Sequence, residues 1–500
     1  MARGTAQREP RGGRAGQTVT AAAHLRSFVG GDWRESASDT WIADVNPSNA
    51  GDTVAHVPRG SVDDARAAVS SASTAYPAWR ALTGPARAEF LYKWAGAIGA
   101  RAEELAQLVT REVGKPIGEA RGEVARCTMI LRYYAGEAVR ASGDVIPAQA
   151  PGALQFTVRQ PLGVVALITP WNFPVAIPLW KAAPALAFGN TIVLKPAESA
   201  AHAAIVLAEC AVAAGIPSGV VNVLLGAGDV VGPALIGDAE VCAVSFTGSG
   251  RIGATVAATA AHRNIRYQTE MGGKNVAIVL ADADLRQAAM LTAAGAMRYA
   301  GQKCTATSRV VVAREVEDAF LSELRTQVAA LPLGPVTDPA SAIGPVISDH
   351  SRQSIRRTLE GMDAERVYEG QIPGSSDFSN GYFVAPTVVR GAAIDSELAQ
   401  RELFGPVLAE FVADDLDHAI ALANSTPYGL SASLYTRDLR SALSYIDRIE
   451  AGMVRVNGDT TGVDPHAPFG GMKASSSGSR EQGPAAREFY TEIKTVQINA

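Results

Sequence analysis

Residues 162–174 read Leu-Gly-Val-Val-Ala-Leu-Ile-Thr-Pro-Trp-Asn-Phe-Pro, an apolar run that ends abruptly in a proline-bounded loop. A continuous apolar run of this length is typical of a strand that is buried on both faces of a parallel sheet. Segments of helical composition separate it from three similar runs, at residues 191–195, 220–224 and 243–247. Strands that alternate with helices predict a parallel sheet with right-handed crossovers.

The same pattern continues on both sides of these four runs. Upstream, residues 61–140 are alanine-rich and amphipathic, which predicts helices that pack with the first sheet. Downstream, a strand, a helix and a strand are predicted at residues 275–280, 285–299 and 308–313. A second α/β domain explains this continuation, and a chain of 500 residues is long enough for two or three domains.

Charge and cysteine content exclude several classes of partner. The formal net charge of −5 provides no general attraction to nucleic acid or to anionic lipid, so neither is expected as a partner. The four cysteines form no CxxC pair, and no spacing of cysteine and histidine predicts a metal site. A reducing cytoplasm is therefore the expected location.

The amino-terminal segment is predicted to lie outside the fold. Residues 1–25 contain four arginines among glycine, glutamine and threonine, which is the charge bias of a transit peptide. Pro10 and the glycines at positions 12, 13 and 16 weaken an amphipathic helix, which favours a flexible tail over a transit peptide. No apolar run reaches 18 residues, so no membrane span is predicted.

Polar and glycine-bearing segments follow the predicted strands, at the sheet edge where ligands collect in parallel sheets. The first strand leads to Trp171 and Asn172, the second ends with Lys195 and Glu198, and the third leads to a glycine loop at residues 226–232. Each motif also has an ordinary explanation. Asparagine commonly satisfies backbone groups in a turn, and Lys-x-x-Glu is a common surface ion pair.

The fourth strand leads into a GxGxxG pattern formed by Gly248, Gly250 and Gly253. A dinucleotide-binding fingerprint lies on the first strand of its sheet, whereas this pattern follows at least three predicted strands. We therefore do not interpret it as that fingerprint. The N-terminus of the helix that follows can still bind phosphate through its free N–H groups.

Two motifs 34 residues apart are the strongest indications of chemistry: Glu270-Met-Gly-Gly-Lys-Asn275 and Gly301-Gln-Lys-Cys-Thr-Ala306. A thiol with an ordinary pKa of about 8.5 is only slightly ionised at pH 7, so a catalytic cysteine needs a base or a positive environment. Glu270 is the candidate base for Cys304. The alternative is a buried cysteine that acts as a small apolar side chain. Two further glycine-bearing motifs, Glu402-Leu-Phe-Gly-Pro-Val407 and Pro468-Phe-Gly-Gly-Met-Lys473, are compatible with either a functional or a structural role.

Together the motifs PWNFP, KPAE, FTGS, ExGGKN, GQxCTA, ELFGPV and PFGGxK closely resemble the aldehyde dehydrogenase superfamily, in order and spacing, from about Ser27 onward. The resemblance implies an α/β fold with a Rossmann-like cofactor domain, an α/β catalytic domain and a small β oligomerisation flap. The expected boundaries are 26–142 with 162–272 for the cofactor domain, 273–471 for the catalytic domain and 143–161 with 485–500 for the flap. The flap strands are expected near residues 155–160 and 488–498.

The resemblance also implies the reaction and its residues. Cys304 is expected to attack an aldehyde, and Glu270 is expected to activate the water that hydrolyses the resulting thioester to a carboxylate. The Asn172 side chain and the Cys304 backbone N–H are expected to form an oxyanion hole, and Lys181 matches a lysine of a proton relay. Two departures, Met271 and the sequence Lys-Ala-Ser-Ser-Ser-Gly after the last glycine pair, affect no reacting group.

NAD or NADP is the implied cofactor, and no metal is implied. Lys195 and Glu198 are expected at the adenosine ribose, Ser249 at the pyrophosphate, and Glu402 with Phe404 at the nicotinamide end. NAD is expected to be preferred modestly, because Glu198 places a negative charge where the additional phosphate of NADP would lie. The remaining implied cofactor-binding residues are Thr169, Pro170, Trp171, Gly228, Gly232, Phe246, Thr247 and Gly248.

The sequence of residues 462–468, Gly-Val-Asp-Pro-His-Ala-Pro, most resembles that of 2-oxoglutarate semialdehyde (2,5-dioxopentanoate) dehydrogenases. Arg140 and Arg298 are expected to bind the distal carboxylate of such a substrate, and Phe469 is expected to line the substrate site. An ordinary ion pair of Arg140 with Glu137 is the alternative. A succinate-semialdehyde or broad-specificity dehydrogenase, a coenzyme A-acylating enzyme and a catalytically silent nucleotide-binding scaffold remain alternatives. A homodimer or homotetramer is expected.

Overall fold

The computed structural model describes residues 22–140 and 143–499, without the side chains of residues 376 and 377. Most of the predicted tail, residues 1–21, and the boundary residues 141, 142 and 500 lie outside the described residues. The predicted tail extends too far into the fold. Ala23–His24 pairs in parallel with the strand Thr53–Pro58, and the next residue, Leu25, is buried because its apolar side chain packs into the core.

The first large sheet has eight strands, and its five central strands are parallel, as the alternating pattern predicts. Its order is Ser476–Gly478, Arg266–Glu270, Val241–Thr247, Val164–Ile168, Thr191–Lys195, Val221–Val223, Ser27–Val29 and Asp32–Arg34. The sequence analysis missed Arg266–Glu270, because this strand reads Arg-Tyr-Gln-Thr-Glu and has no apolar run.

Eight helices of at least ten residues precede or connect the strands of this sheet: Val62–Ala81, Gly84–Ala100, Ala102–Val113, Ile117–Glu137, Ala176–Ala187, Ala201–Ala213, Gly228–Gly237 and Gly250–His262, all within the described ranges. Within the predicted helical region 61–140, the long amphipathic stretch from Ala102 to Arg140 is divided into two helices, Ala102–Val113 and Ile117–Glu137. Gly114 breaks it with a φ of +65°, and Pro116 lacks the N–H that a continuous helix needs. The second of these helices, Ile117–Glu137, contributes to the site described below.

The second large sheet has seven strands, and all its pairs are parallel except that of the edge strand Glu365–Glu369. The other strands, in order across the sheet, are Thr387–Arg390, Val407–Ala413, Thr307–Ala313, Asn275–Val279, Ser431–Tyr435 and Met453–Val456. Its main helices are Leu285–Met297, Glu317–Ala329, Asp349–Glu360, Leu416–Asn424 and Leu439–Arg448. The first of them is shorter than predicted, because Tyr299 and Ala300 have positive φ angles.

A third sheet joins two segments that are far apart in sequence. Thr491–Ile498 pairs antiparallel with Leu154–Pro161 over its whole length, and Val145–Ile146 adds a short third strand. The strand predicted near residues 155–160 is therefore present. The one predicted from residue 488 begins only at Thr491, because residues 488–490 belong to the helix Ala485–Tyr490. In the described ranges, no helix combines the length and the apolar character that crossing a membrane requires.

Candidate active site

A cavity of about 530 Å³ contains Cys304 in its wall. Cys304 lies in the loop that leads into the strand Thr307–Ala313, and its backbone carbonyl accepts a hydrogen bond from Asn275 Nδ2 at 2.8 Å. The two motifs that the sequence analysis singled out are therefore joined directly. Burial, with the negative charges of Glu402 and Glu270, raises the pKa of the Cys304 thiol. This thiol needs a proton acceptor before it can act as a nucleophile.

Glu270 ends the strand Arg266–Glu270 and is buried. Ser476 Oγ donates a hydrogen bond to its Oε2 at 2.5 Å, whereas its buried Oε1 has no partner among the described residues. A Cβ atom at Gly470 would lie 2.7 Å from that oxygen and 2.8 Å from Arg480 Cδ, so glycine allows the backbone to pass close to the carboxylate. Burial and the charge of Glu481 raise the pKa of Glu270 well above its ordinary value, which makes the carboxylate a stronger base.

Asn172 lies in the loop after the strand Val164–Ile168, where the sequence analysis placed it. Its buried side-chain Nδ2 donates to the backbone carbonyl of Gln302 at 3.1 Å, two residues before Cys304. The structure therefore brings this amide to the segment that contains the thiol. An amide and a backbone N–H that are fixed beside a reacting carbonyl can stabilise an oxyanion.

A buried ion pair that the sequence analysis missed supports this loop. Lys115 Nζ contacts the Glu123 carboxylate and donates to the backbone carbonyl of Asn172 at 2.7 Å. Glu123 Oε1 accepts hydrogen bonds from the backbone N–H groups of Val175 and Ala176, both at 2.9 Å. In the sequence, the only indication of this ion pair is the Gly-Lys-Pro segment at residues 114–116, which interrupts the helical pattern.

Lys181 is fully buried, and its Nζ contacts the Glu481 carboxylate and donates to Ser245 Oγ at 2.8 Å. The charges of Lys181 and Glu481 both act on the pKa of Glu270, in opposite directions. Lys181 therefore belongs to one electrostatic cluster with Glu270, which fits a path for protons. Glu481 was missed, because one carboxylate 300 residues from its lysine has no local signature.

Lys195, Glu198 and Gly228 meet beside the end of the strand Thr191–Lys195. Glu198 Oε1 accepts hydrogen bonds from Lys195 Nζ at 3.2 Å and from the Gly228 N–H at 2.6 Å. Glu198 therefore caps the helix Gly228–Gly237, which also contains Gly232. A lysine, a carboxylate and a helix N-terminus at the end of a parallel strand have the donors and acceptors that a nucleotide ribose and phosphate use.

The ends of two neighbouring strands hold hydroxyl groups without partners. Thr169 Oγ1 follows Val164–Ile168 and Thr247 Oγ1 ends Val241–Thr247, and both atoms are buried without a hydrogen-bond partner among the described residues. Nearby, a Cβ at Gly248 would lie 2.7 Å from the ring of Phe246, and Ser249 provides no side-chain cap for the next helix. Buried orphan hydroxyls and uncapped N–H groups fit a polar ligand at this edge.

A second group of predicted cofactor residues lies near Trp171, which directly follows Pro170 in the loop. The rings of Trp171 and Phe404 meet edge to face with centroids 5.6 Å apart, and Phe404 has a φ of +54°. Glu402 Oε1 accepts a hydrogen bond from the Gly273 N–H at 3.1 Å, and burial raises the pKa of Glu402 to about 7. The carboxylate thus lies beside the motif that contains Glu270.

Arg298 and Phe469 line the cavity that contains Cys304, as predicted, but Arg140 does not. Arg140 pairs with Glu137 at 2.5 Å, its side chain is 68% exposed, and it borders a different pocket. The arginine of this segment that lines the cavity is Arg126. The helix ends at Glu137, so Arg140 lies three residues beyond it and outside the part of the helix that lines the cavity.

The part of the chain that the structure describes contains no group of three or more histidine, cysteine, aspartate or glutamate residues arranged to bind a metal ion.

Comparison with known proteins agrees with the site. The family model described as "Aldehyde dehydrogenase family" matches residues 33–496. The alpha-ketoglutaric semialdehyde dehydrogenase of Bacillus subtilis (strain 168) is 44% identical over 475 residues, which cover 94% of this chain and 97% of that protein. The alpha-ketoglutarate semialdehyde dehydrogenase of Haloferax volcanii is 41% identical over 475 residues, 94% of this chain and 98% of that protein.

A solved structure shares the fold. The crystal structure of an NAD-dependent aldehyde dehydrogenase from Sinorhizobium meliloti matches with a TM-score of 0.93 and 37% identity, and it covers 97% of this chain and 96% of that chain. The expected α/β fold class is thereby confirmed. On its sequence, its sheets and its site, this chain belongs to the aldehyde dehydrogenase family.

Proposed function

We propose that this enzyme oxidises an ω-oxo acid, such as 2-oxoglutarate semialdehyde, to the dicarboxylate, with NAD or NADP as the hydride acceptor. The observation that carries the proposal is the guanidinium of Arg298 in the wall of the cavity that holds Cys304. A cation at this place suits a substrate with an aldehyde at one end and a carboxylate at the other. The names of the two relatives, both alpha-ketoglutarate semialdehyde dehydrogenases, support the same substrate.

The proposed reaction begins at Cys304. Its thiol loses a proton to Glu270 or to solvent, and the thiolate sulfur forms a bond to the aldehyde carbon. The carbonyl oxygen becomes an oxyanion, which the Asn172 amide and the Cys304 N–H stabilise. A bound NAD or NADP would supply the acceptor for the hydride that leaves this carbon, and the carbon remains attached to Cys304 as a thioester.

Hydrolysis completes the proposed cycle. Glu270 removes a proton from a water molecule, the water oxygen attacks the thioester carbon, and the carbon–sulfur bond breaks to release the carboxylic acid. We place this water beside Glu270 Oε1, because that buried oxygen has no hydrogen-bond partner among the described residues. Lys181 and Glu481 then provide a route by which the proton leaves Glu270.

We propose that the cofactor lies along the sheet edge described above. Lys195 and Glu198 would hold the adenosine ribose, the N–H groups after Ser249 would face the pyrophosphate, and Glu402 with Phe404 would hold the nicotinamide end. The buried hydroxyls of Thr169 and Thr247 at this sheet edge, which have no hydrogen-bond partner among the described residues, support this placement. We expect a modest preference for NAD, because Glu198 is fixed in place by Lys195 and Gly228 and would repel an additional phosphate.

We also propose a homo-oligomer, a dimer or a tetramer, whose subunits meet through the sheet that contains Thr491–Ile498. That strand lies at the edge of its sheet, and exposed strand edges are commonly paired between subunits. The first two sheets would then correspond to a cofactor domain and a catalytic domain. The four cysteines are free thiols, which agrees with a reducing cytoplasm as the location.

Steady-state turnover of a matched aldehyde panel tests the proposal. The panel contains 2-oxoglutarate semialdehyde, succinate semialdehyde and pentanal, each assayed with NAD and with NADP. We expect kcat/KM to be at least tenfold higher for the ω-oxo acids than for pentanal, and modestly higher with NAD. Equal kcat/KM for all three aldehydes would contradict the substrate, and a tenfold preference for NADP would contradict the role of Glu198.

A further inference from the structure

The helix Ile117–Glu137 contributes a second arginine, Arg126, to the wall of the cavity that contains Cys304. We infer that Arg126 binds the distal carboxylate of the substrate together with Arg298, a role that rests on the proposed oxidation of an ω-oxo acid. Arg126 thus has the role that the sequence suggested for Arg140, which lies outside the cavity.

Helical spacing brings Arg126 into the cavity. Glu119, Gly122, Glu123 and Arg126 are separated by three, one and three residues, so they form one face of the helix, and all four line the cavity with Cys304. Arg126 lies seven residues beyond Glu119, about 10 Å along the helix axis. The helix therefore places the Arg126 guanidinium about two turns away from Glu119 along the wall of the same cavity.

The charges in the cavity wall leave Arg126 without a carboxylate. Glu119 is shared by two cations, with Lys303 Nζ at 2.9 Å and Arg298 Nη1 at 3.8 Å. Glu123 is neutralised by the buried Lys115. Among the ion pairs of residues 22–140 and 143–499, none includes Arg126, so the cavity has an unmatched positive charge at this residue.

The hydrogen bonds of Arg126 hold it in place and leave donors available. Nη1 donates to the backbone carbonyl of Val463 at 2.7 Å, which orients the guanidinium beside the cavity-lining residues Thr461 and Gly462. A guanidinium has five N–H donors in a planar fork, and one such bond leaves enough of them for a carboxylate. A fixed arginine loses little conformational freedom when an anion binds.

The rest of the cavity suits the middle of the proposed substrate. Phe173, Trp180 and Phe469 form an apolar part of the wall, and the rings of Trp180 and Phe469 lie 5.7 Å apart. Methylene groups between an aldehyde and a carboxylate match such a wall. The cavity therefore combines a thiol, an apolar section and guanidinium groups, as an ω-oxo acid requires.

The alternative is a purely structural role, in which Arg126 only anchors Val463. Arg126→Met separates the two, with Arg126→Lys as the conservative variant and Arg132→Met as the matched control on an exposed position of the same helix. We expect Arg126→Met to lower kcat/KM for 2-oxoglutarate semialdehyde about ten- to a hundredfold, mainly through KM, as loss of a charge-assisted hydrogen bond implies. The loss for pentanal should be at least tenfold smaller, Arg126→Lys should recover part of the activity, and Arg132→Met should match the parent enzyme.

Equal losses on both aldehydes would overturn the inference in favour of the structural role. A binding measurement separates this inference from the proposed function. Glutarate is titrated calorimetrically into the Cys304→Ala enzyme, with and without Arg126→Met or Arg298→Met. We expect each arginine variant to raise the Kd at least tenfold. If only Arg298→Met does so, the substrate proposal survives and the role of Arg126 fails; if the parent binds no glutarate, both fail.

Discussion

Burial raises the pKa of Cys304 and of Glu270, so each group keeps its proton to a higher pH than an ordinary thiol or carboxyl does. A carboxylate whose pKa is raised is a better proton acceptor once it is ionised, but it requires a higher pH to be ionised. The proposed reaction should therefore respond to pH through Glu270.

Glu270→Gln should leave a burst of reduced cofactor and slow the steady state about 10²- to 10⁴-fold, the usual contribution of a general base. In the parent enzyme, steady-state kcat should rise with pH as Glu270 loses its proton, above the pH at which an ordinary carboxyl ionises. The variant should lack this rise. Stopped-flow bursts and pH profiles measure both effects.

Cys304→Ala is the control for that measurement, because it removes the sulfur that forms the thioester. It should abolish the burst and the turnover, while cofactor affinity measured by calorimetry stays close to that of the parent. A Glu270→Gln enzyme without a burst would instead mean that Glu270 is needed before hydrolysis, at the ionisation of Cys304.

At the scale of elements, the helix Ile117–Glu137 connects the substrate cavity to the loop of Asn172. Its Glu123 holds Lys115 and the N–H groups that begin the helix Ala176–Ala187, while Arg126 faces the cavity on the same side. The ring of Phe173 lies 3.9 Å from Lys115 Nζ, which adds a cation–π contact to the ion pair. One helix face therefore positions both the proposed oxyanion site and the proposed carboxylate site.

Glu123→Gln should destabilise the fold by about 3–5 kcal/mol, the usual result of removing one partner of a buried ion pair. It should also lower the burst rate, because the loop of Asn172 loses its support. The double variant Lys115→Met/Glu123→Leu should recover much of the stability, since it leaves no unpaired charge, but should keep the slow burst. Urea unfolding and stopped-flow bursts measure the two effects.

Glu103→Gln is the matched control. It breaks the exposed ion pair between Glu103, in the helix Ala102–Val113, and Arg121, in the helix that contains Glu123. We expect little change in stability or in burst rate from it. If the double variant regains the parental burst rate together with its stability, the pair contributes to folding alone and does not position Asn172.

At the scale of the whole molecule, a carboxyl pair far from the cavity links stability to pH. Burial and the neighbouring charge of Glu112 raise the pKa of Asp44 to about 10, although Arg111 acts in the opposite direction. The folded chain then keeps a proton that the unfolded chain releases above the ordinary pKa of 3.8. The free energy of unfolding therefore falls as pH rises from about 4 towards 10, by at most about 1.4 kcal/mol per pH unit.

Asp44→Asn should flatten this dependence, because asparagine donates a hydrogen bond to Glu112 without a proton that can be lost. The variant should gain stability relative to the parent as pH increases from 6 to 9, measured by urea unfolding at each pH. Asp63→Asn removes an exposed carboxylate and should leave the slope unchanged over this range. Parallel curves for Asp44→Asn and the parent would show that this pair does not hold a proton.

The edge strand Thr491–Ile498 makes a second prediction at this scale. Ile493 is 58% exposed in the single chain, and Ile498 is 53% exposed. If this strand pairs with another subunit, Ile493→Arg should shift the protein to a smaller species, because burying a guanidinium without a partner is costly. Sedimentation velocity measures the change, with Leu443→Arg, at a 59% exposed position elsewhere, as the control. Unchanged sedimentation would place the interface on another surface.

The sequence determined the parts of this protein that depend on local pattern. The apolar runs predicted four of the five parallel strands of the first sheet, including Thr191–Lys195 residue for residue. The glycine-bearing motifs of Cys304 and Glu270 and the proline-bounded loop of Asn172 indicated these three residues as candidates for catalysis. A thiol, a carboxylate and an amide in such turns are unusual, and the order of the motifs resembles one family. The family and the fold class followed from these motifs, and both are confirmed.

The tertiary structure alone decided which distant residues meet. Lys181 and Glu481 are 300 residues apart, and no local periodicity relates them. The strand Arg266–Glu270 is polar, yet it pairs between two other strands, since hydrogen bonding across a sheet does not require apolar side chains. Arg126 lies within the helix Ile117–Glu137 and Arg140 lies three residues beyond its end, and only the position of the cavity selects Arg126. Sequence periodicity specifies the face of a helix, whereas packing between distant segments determines which turn of that face meets the substrate.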